Sequence, residues 1–95
     1  MKPRETEPKF IGKLYKSFSK LKSTNEAANY LRDLCTIAEL NAMAERLEVA
    51  RLLKQGKSYR QINQLTGAST TTVTRVAYWL HHGMGGYKLM LDRIG

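Results

Sequence analysis

SYRQINQLTGASTTTVTRVAYWL, residues Ser58 to Leu80, decides how this chain is read. The stretch divides at Gly67 into two short helical segments. Ser58, with Gln61 three residues on, forms a capping box: the hydroxyl accepts from the third helical N–H, and the Gln amide reaches back to the Ser N–H. Ile62 and Leu65 supply this segment's inward contacts. Gly67 falls where a tight turn needs a positive φ, which glycine adopts at least cost. Ser69 is the expected N-cap of a second helix, Thr70 to Leu80, with Val73, Val76 or Ala77, and Leu80 facing inward. Two short helices joined by a tight glycine turn make a helix-turn-helix.

The chemistry of the second segment suits duplex DNA. A helix entering the major groove presents its first turn to base edges. Small hydroxyl side chains there let the backbone come close, and threonine methyls can meet the thymine methyl. Ser69, Thr70 and Thr71 fill that turn, Thr72 follows, and Thr74 extends the same surface. Lys57, Arg60 and Gln61, at the start of the preceding helix, are candidates for backbone phosphates. A run of β-branched and hydroxyl residues is also a poor helix former, so a loop or an edge strand competes with this reading.

The rest of the chain reads as helix. Residues 1–8 are polar, hold both prolines, and are expected to form a flexible N-terminal arm. Residues 9–95 are expected to form one all-helical DNA-binding and dimerisation domain. From Lys9 to Lys22, Phe10, Leu14, Phe18 and Leu21 recur at helical spacing with the lysines mostly off that stripe. So broad an apolar face must be covered by something. Ser23 and Glu26 make a second capping box, opening a helix to about Cys35. Thr36 and Glu39 make a third, opening the longest helix, about Ile37 to Gln55, along which Ile37, Leu40, Ala44, Leu47, Ala50 and Leu53 or Lys54 recur at helical spacing. Gly56 ends it as a left-handed cap. Three glycines among residues 83–86 break the pattern, and Tyr87 to Ile94 forms a last amphipathic helix. There is no strand-like alternation and no internal repeat, so the fold class is all-α with six helices.

The charge is uneven. Ninety-five residues carry a net +8, distributed as +5 over residues 1–22, −3 over 23–50 and +6 over 51–95. Basic flanks around an acidic middle are expected when only some surfaces meet a polyanion. Cys35 is the only cysteine, which excludes an intrachain disulfide and a cysteine-based zinc site. Its apolar neighbours make it an expected buried residue. His81 and His82 are adjacent and lack the i, i+4 spacing of a helical metal pair, so no metal site, cofactor or enzyme activity is expected. No apolar run reaches transmembrane length, and a cytoplasmic location is expected. A helical protein–protein interaction module and a non-specific DNA-binding protein remain as alternatives.

The run from Arg46 to Arg75 adds a resemblance. RLEVARLLKQGKSYRQINQLTGASTTTVTR, with Leu65-Thr66-Gly67-Ala68 leading into Thr72-Val73-Thr74-Arg75, resembles the trp repressor family. The upstream DLCTIAELNAMAERLEVARLL and the ending Met90-Leu91-Asp92-Arg93 are most similar to the small trp-repressor-like regulators of Firmicutes. The resemblance spans most of residues 14–94. It implies an intertwined homodimer that binds a palindromic operator, with two reading heads about 34 Å apart. It further implies a regulator of a biosynthetic operon, acting as a repressor, with an amino-acid effector. Arg46 and Arg75 match two arginines that flank the family's effector site, and Thr72 matches a threonine nearby. Where the family pattern has glycine and serine, this chain has Val76 and Trp79, which are expected to crowd the slot and exclude tryptophan as the effector. Surface ion pairing with Glu39, Glu45 or Glu48 is the competing role for Arg46 and Arg75.

Overall fold

A computed structural model describes residues 8–95. Among these lie six helices: α1 (Ile11–Phe18), α2 (Thr24–Leu34), α3 (Ile37–Lys54), α4 (Tyr59–Thr66), α5 (Thr70–His82) and α6 (Gly86–Ile94). No strand occurs among the described residues. The expected arm, apart from an exposed Pro8, lies outside them. The chain divides into two compact units, residues 1–36 and residues 37–95.

In the N-terminal unit, α1 ends at Phe18, four residues short of the expected Lys22. Serine chemistry stops it. The hydroxyls of Ser17 and Ser19 donate to the carbonyls of Leu14 (2.7 Å) and Lys16 (2.6 Å). The N–H groups of Ser19, Lys20 and Leu21 then bond three residues back, at 3.1, 3.1 and 3.2 Å, in a tightened turn. Tyr30 of α2 meets α1 through its hydroxyl, 2.6 Å from Ser17 Oγ, and through an edge-on contact with Phe18 at 5.7 Å. Ser23 caps α2 by accepting from the Glu26 N–H at 3.1 Å. Glu26 returns to the Lys22 N–H (2.9 Å), one residue outside the expected partner. Neither helix has a buried residue. Cys35, expected to be buried, is half-buried at the end of α2. Two helices alone enclose too little volume to hide it.

The C-terminal unit holds the core. Val49, Ala50 and Leu52 of α3, Ile62 of α4, Ala68 of the turn, Val73, Val76 and Leu80 of α5, and Leu91 of α6 form one buried cluster. Leu53 and Tyr87 pack against it. The core therefore sits at the C-terminal third of α3 rather than along the whole expected stripe. Ile37 and Leu47 remain 52% and 38% exposed, because the other helices of this unit enclose α3 only near its end. Leu65, expected to face inward, is 66% exposed. On an eight-residue α4 only Ile62 reaches the core, and Ala68 takes the next inward position.

The ends of these helices follow local chemistry. The Ser58–Gln61 capping box is complete in both directions. Gly56 and Gly67 take φ of 84° and 75° as expected. α5 runs two residues past the expected Leu80, to His82. It stops at Gly83, where a Cβ would lie 2.4 Å from the Trp79 carbonyl oxygen. Only glycine fits that close approach. α6 is tied to α3 by an ion pair between Lys54 and Asp92. On the outer face of α3, Arg51 forks onto Glu48 at 2.7 and 2.6 Å. That hydrogen bond holds the Glu48 carboxyl below its ordinary range. The pair's contribution, small at so exposed a site, is present at neutral pH and is lost on acidification as Glu48 protonates.

Burial separates the two apolar residues of α4 sharply. Ile62→Ala is expected to cost about 2–4 kcal/mol in chemical denaturation. Leu65→Ala is expected to cost under about 0.5 kcal/mol. Equal losses would contradict this placement of the core.

Candidate nucleic-acid interface

The helix-turn-helix is fastened by side chains of α4 folding back on the turn. The Gly67 N–H donates to the Asn63 carbonyl at 2.9 Å. Asn63 Nδ2 donates to the Ala68 carbonyl at 2.7 Å. Thr66 Oγ1 donates to the Ile62 carbonyl (2.7 Å) and accepts the Ala68 N–H (3.0 Å). Every one of these bonds spans five residues or fewer, so the turn is specified locally. Buried Ile62, Ala68 and Val73 then clamp α4, turn and α5 to the core. Asn63 and Thr66 were not singled out by sequence reasoning, although both are residue types that bond to nearby backbone in turns.

Ser69 caps α5, accepting the Thr72 N–H at 3.1 Å, with its hydroxyl 3.1 Å from Thr72 Oγ1. Thr70, Thr71 and Thr74 are exposed on the first turns of this helix. Lys57, Arg60 and Gln61 are exposed around the start of α4. All seven residues proposed from sequence to meet DNA thus lie on the surface of one unit. Two of them already carry structural duties. The Gln61 carboxamide oxygen accepts the Ser58 N–H at 2.9 Å, which leaves its NH2 group as a donor. The Ser69 oxygen is held by its cap, so exposed hydroxyls at Thr70, Thr71 and Thr74 are the freer groups. The field favours anions: from Val49 through Leu91 there is no Asp or Glu, but there are six Lys or Arg. The free N–H groups of the first turn of α5 add a positive helix end.

Behind this surface, Arg46, Thr72 and Arg75 come together on a cavity of about 430 Å³. Ala42, Glu45, Val76, Trp79 and Tyr87 complete its walls. Trp79 does not fill the slot. It is 57% exposed and forms a wall, and buried Val76 lies at the side. Among the described residues neither guanidinium forms an ion pair, and Glu48, one of the candidate partners, is engaged by Arg51. The cavity combines two cationic groups, one carboxylate, the hydroxyl-bearing side chains of Thr72 and Tyr87, and the aromatic rings of Trp79 and Tyr87. It can hold a small molecule bearing an anionic group and a flat or apolar body. Glu45 entered the sequence reading only as a candidate ion-pair partner of the arginines, and Tyr87 had no local signal, because it reaches the cavity only through the packing of α6.

The Trp repressor protein family matches residues 11–94. The chain belongs to the Trp repressor family. It is 43% identical over 86 residues to the uncharacterized protein YerC of Bacillus subtilis, covering 90% of this chain and 83% of that one. A solved structure of a candidate Trp repressor from Staphylococcus aureus superposes with a TM-score of 0.88 at 34% identity, covering 99% of this chain and 94% of that one. A TrpR-like protein from Eubacterium eligens gives 0.88 at 33% identity, covering 98% and 96%. The all-α trp-repressor-like fold is therefore established, and membership puts the chain in a family of DNA-binding regulators. No helix among the described residues is long and apolar enough to cross a membrane.

Within this Trp repressor fold, the Ser69 cap sets the start of α5. Ser69→Ala is expected to lower stability by about 1 kcal/mol, and Ser69→Asp, which keeps an oxygen acceptor, to recover most of it. Thermal unfolding of the two variants checks this; equal destabilisation would show that the cap contributes nothing.

Proposed function

We propose that the chain is a sequence-specific transcriptional regulator that binds a palindromic operator as a homodimer and represses a biosynthetic operon. The observation that carries this reading is the exposed, acid-free first turn of α5 on a rigid helix-turn-helix. Thr70, Thr71 and Thr74 meet base edges. Lys57, Arg60 and the Gln61 NH2 group meet phosphates and fix register. The two units act together as one DNA-binding and dimerisation domain.

The dimer is supported by apolar surface that the chain leaves uncovered. Phe10 at the start of α1 and Phe18 at its end, Ile37 and Leu47 in α3, and Met90 and Ile94 in α6 are all exposed. Such extensive apolar exposure is unusual for a monomer of this size. A second copy that covers it also supplies the second reading head. The effector is an amino acid other than tryptophan. Arg46 and Arg75 hold its carboxylate, Thr72 adds a hydroxyl, and Glu45 takes its ammonium group. The exclusion of tryptophan rests on Val76 and Trp79 standing in the cavity wall where the family pattern has glycine and serine.

Selection of bound duplexes from a random pool, repeated with each amino acid, tests the reading. A palindromic consensus preferred at least about a thousandfold over random DNA is expected. Binding without preference would make the chain a non-specific DNA binder, and no binding would favour a protein–protein module. Against the selected duplex, Arg60→Ala is expected to weaken binding to all sequences and flatten the salt slope by about one. Thr71→Ala is expected to change base preference with little effect on random DNA. Light scattering of the intact chain is expected to give twice the chain mass, and a chain lacking residues 1–22 to give a monomer; a stable truncated dimer contradicts the proposed dimer architecture.

A further inference from the structure

One face of α5 continues past the proposed reading turn. At about 100° per residue, Tyr78 lies roughly 20° around the helix axis from Thr71, and His82 roughly 20° to its other side. Both are opposite the buried row Val73, Val76, Ala77 and Leu80. Thr71, Tyr78 and His82 therefore make one straight exposed row, with Thr74 beside it. Tyr78 is 56% exposed, yet its ring is held on two sides. The His82 ring lies 5.0 Å away at 45°, and the Trp79 ring lies edge-on at 5.1 Å and 87°. An exposed tyrosine braced by two rings loses little freedom on binding.

Distance decides what it meets. Tyr78 is seven residues beyond Thr71, about 10 Å along the axis. The major groove is about 12 Å wide. When the first turn of α5 touches base edges, a side chain that far along the same face has reached the groove wall. The groups there are sugar and phosphate. We infer that Tyr78 donates its hydroxyl proton to a DNA backbone phosphate, with His82 acting as a positioning residue that braces its ring. This inference rests on the DNA-binding reading above. It adds a neutral clamp to the charged contacts of Lys57 and Arg60, on the opposite side of the reading turn in the sequence. The acid-free run from Val49 to Leu91 favours a polyanion over a protein surface for this row.

The test uses the full chain, a labelled duplex from the selection and a random duplex of equal length. Tyr78→Phe is expected to weaken both by roughly tenfold, the loss of one hydrogen bond to a charged acceptor. It is expected to leave the salt slope and the base preference unchanged. His82→Ala is expected to weaken both severalfold, and His82→Phe, which restores a ring without a charge, to recover wild-type affinity. Neutral methylphosphonate linkages, placed one at a time along the selected duplex, supply the direct readout. One position is expected to weaken the wild type and leave Tyr78→Phe unaffected. Emission from Trp79, the only tryptophan, and the melting curve confirm that each variant is folded. Unchanged binding by Tyr78→Phe while the wild type binds DNA would overturn the inference and leave the functional reading standing. Loss confined to the selected duplex would make Tyr78 a base contact and overturn it as well. Failure of His82→Phe to recover affinity would overturn the bracing role. Failure of the wild type to bind either duplex would remove the functional reading itself.

Discussion

Ala68 is buried in the turn between α4 and α5, and the proposed DNA-binding surface depends on that burial. The residue is small enough to sit in the core beside Ile62 and Val73, so the turn is clamped rather than left as a loop. Gly67 supplies the left-handed bend just before it. Asn63 and Thr66 satisfy the polar groups of Ala68, which would otherwise be left without partners in a partly buried site. With the turn fixed, Ser69 starts α5 at one defined residue, and the exposed threonines take fixed positions around its axis. A shift of one residue at this cap would rotate the row by about 100° and point it away from the groove.

α5 also connects the two proposed sites. Thr71 and Thr74 lie on its exposed row, while Thr72, Arg75, Val76 and Trp79 line the cavity. A ligand spanning the cavity from Arg46 of α3 to Arg75 of α5 would fix the register of α5 on α3. Its effect on DNA affinity can be no larger than its own preference for the DNA-competent position of α5. Trp79 touches both sides of this arrangement, as cavity wall and as neighbour of Tyr78.

Much of this architecture was legible because it is local. The serine caps at Ser23, Ser58 and Ser69 and the glycine ends at Gly56 and Gly67 are set by bonds within a few residues, and all appear where the sequence put them. The grouping of Arg46, Thr72 and Arg75 on one cavity came from resemblance rather than spacing. What the pattern could not distinguish is an apolar residue covered within the chain from one left for another surface. Ile37, Leu47 and Leu65 have the same periodicity as Ala50 and Ile62 but remain exposed. The early end of α1 was hidden because Ser17 and Ser19 are neutral in a helical pattern until their hydroxyls turn back on the backbone. Tyr87 could not be assigned to the cavity because nothing near it in sequence indicates how α6 packs.

The most direct measurement of the central claim is an NMR titration of the intact chain with the selected duplex, following every backbone amide. The account predicts the largest shifts at residues 57–61 and 69–74, with smaller ones at the far end of α5 and near silence at the buried end of α3. Dominant shifts in α1 and α2, with the first turn of α5 unmoved, would contradict it.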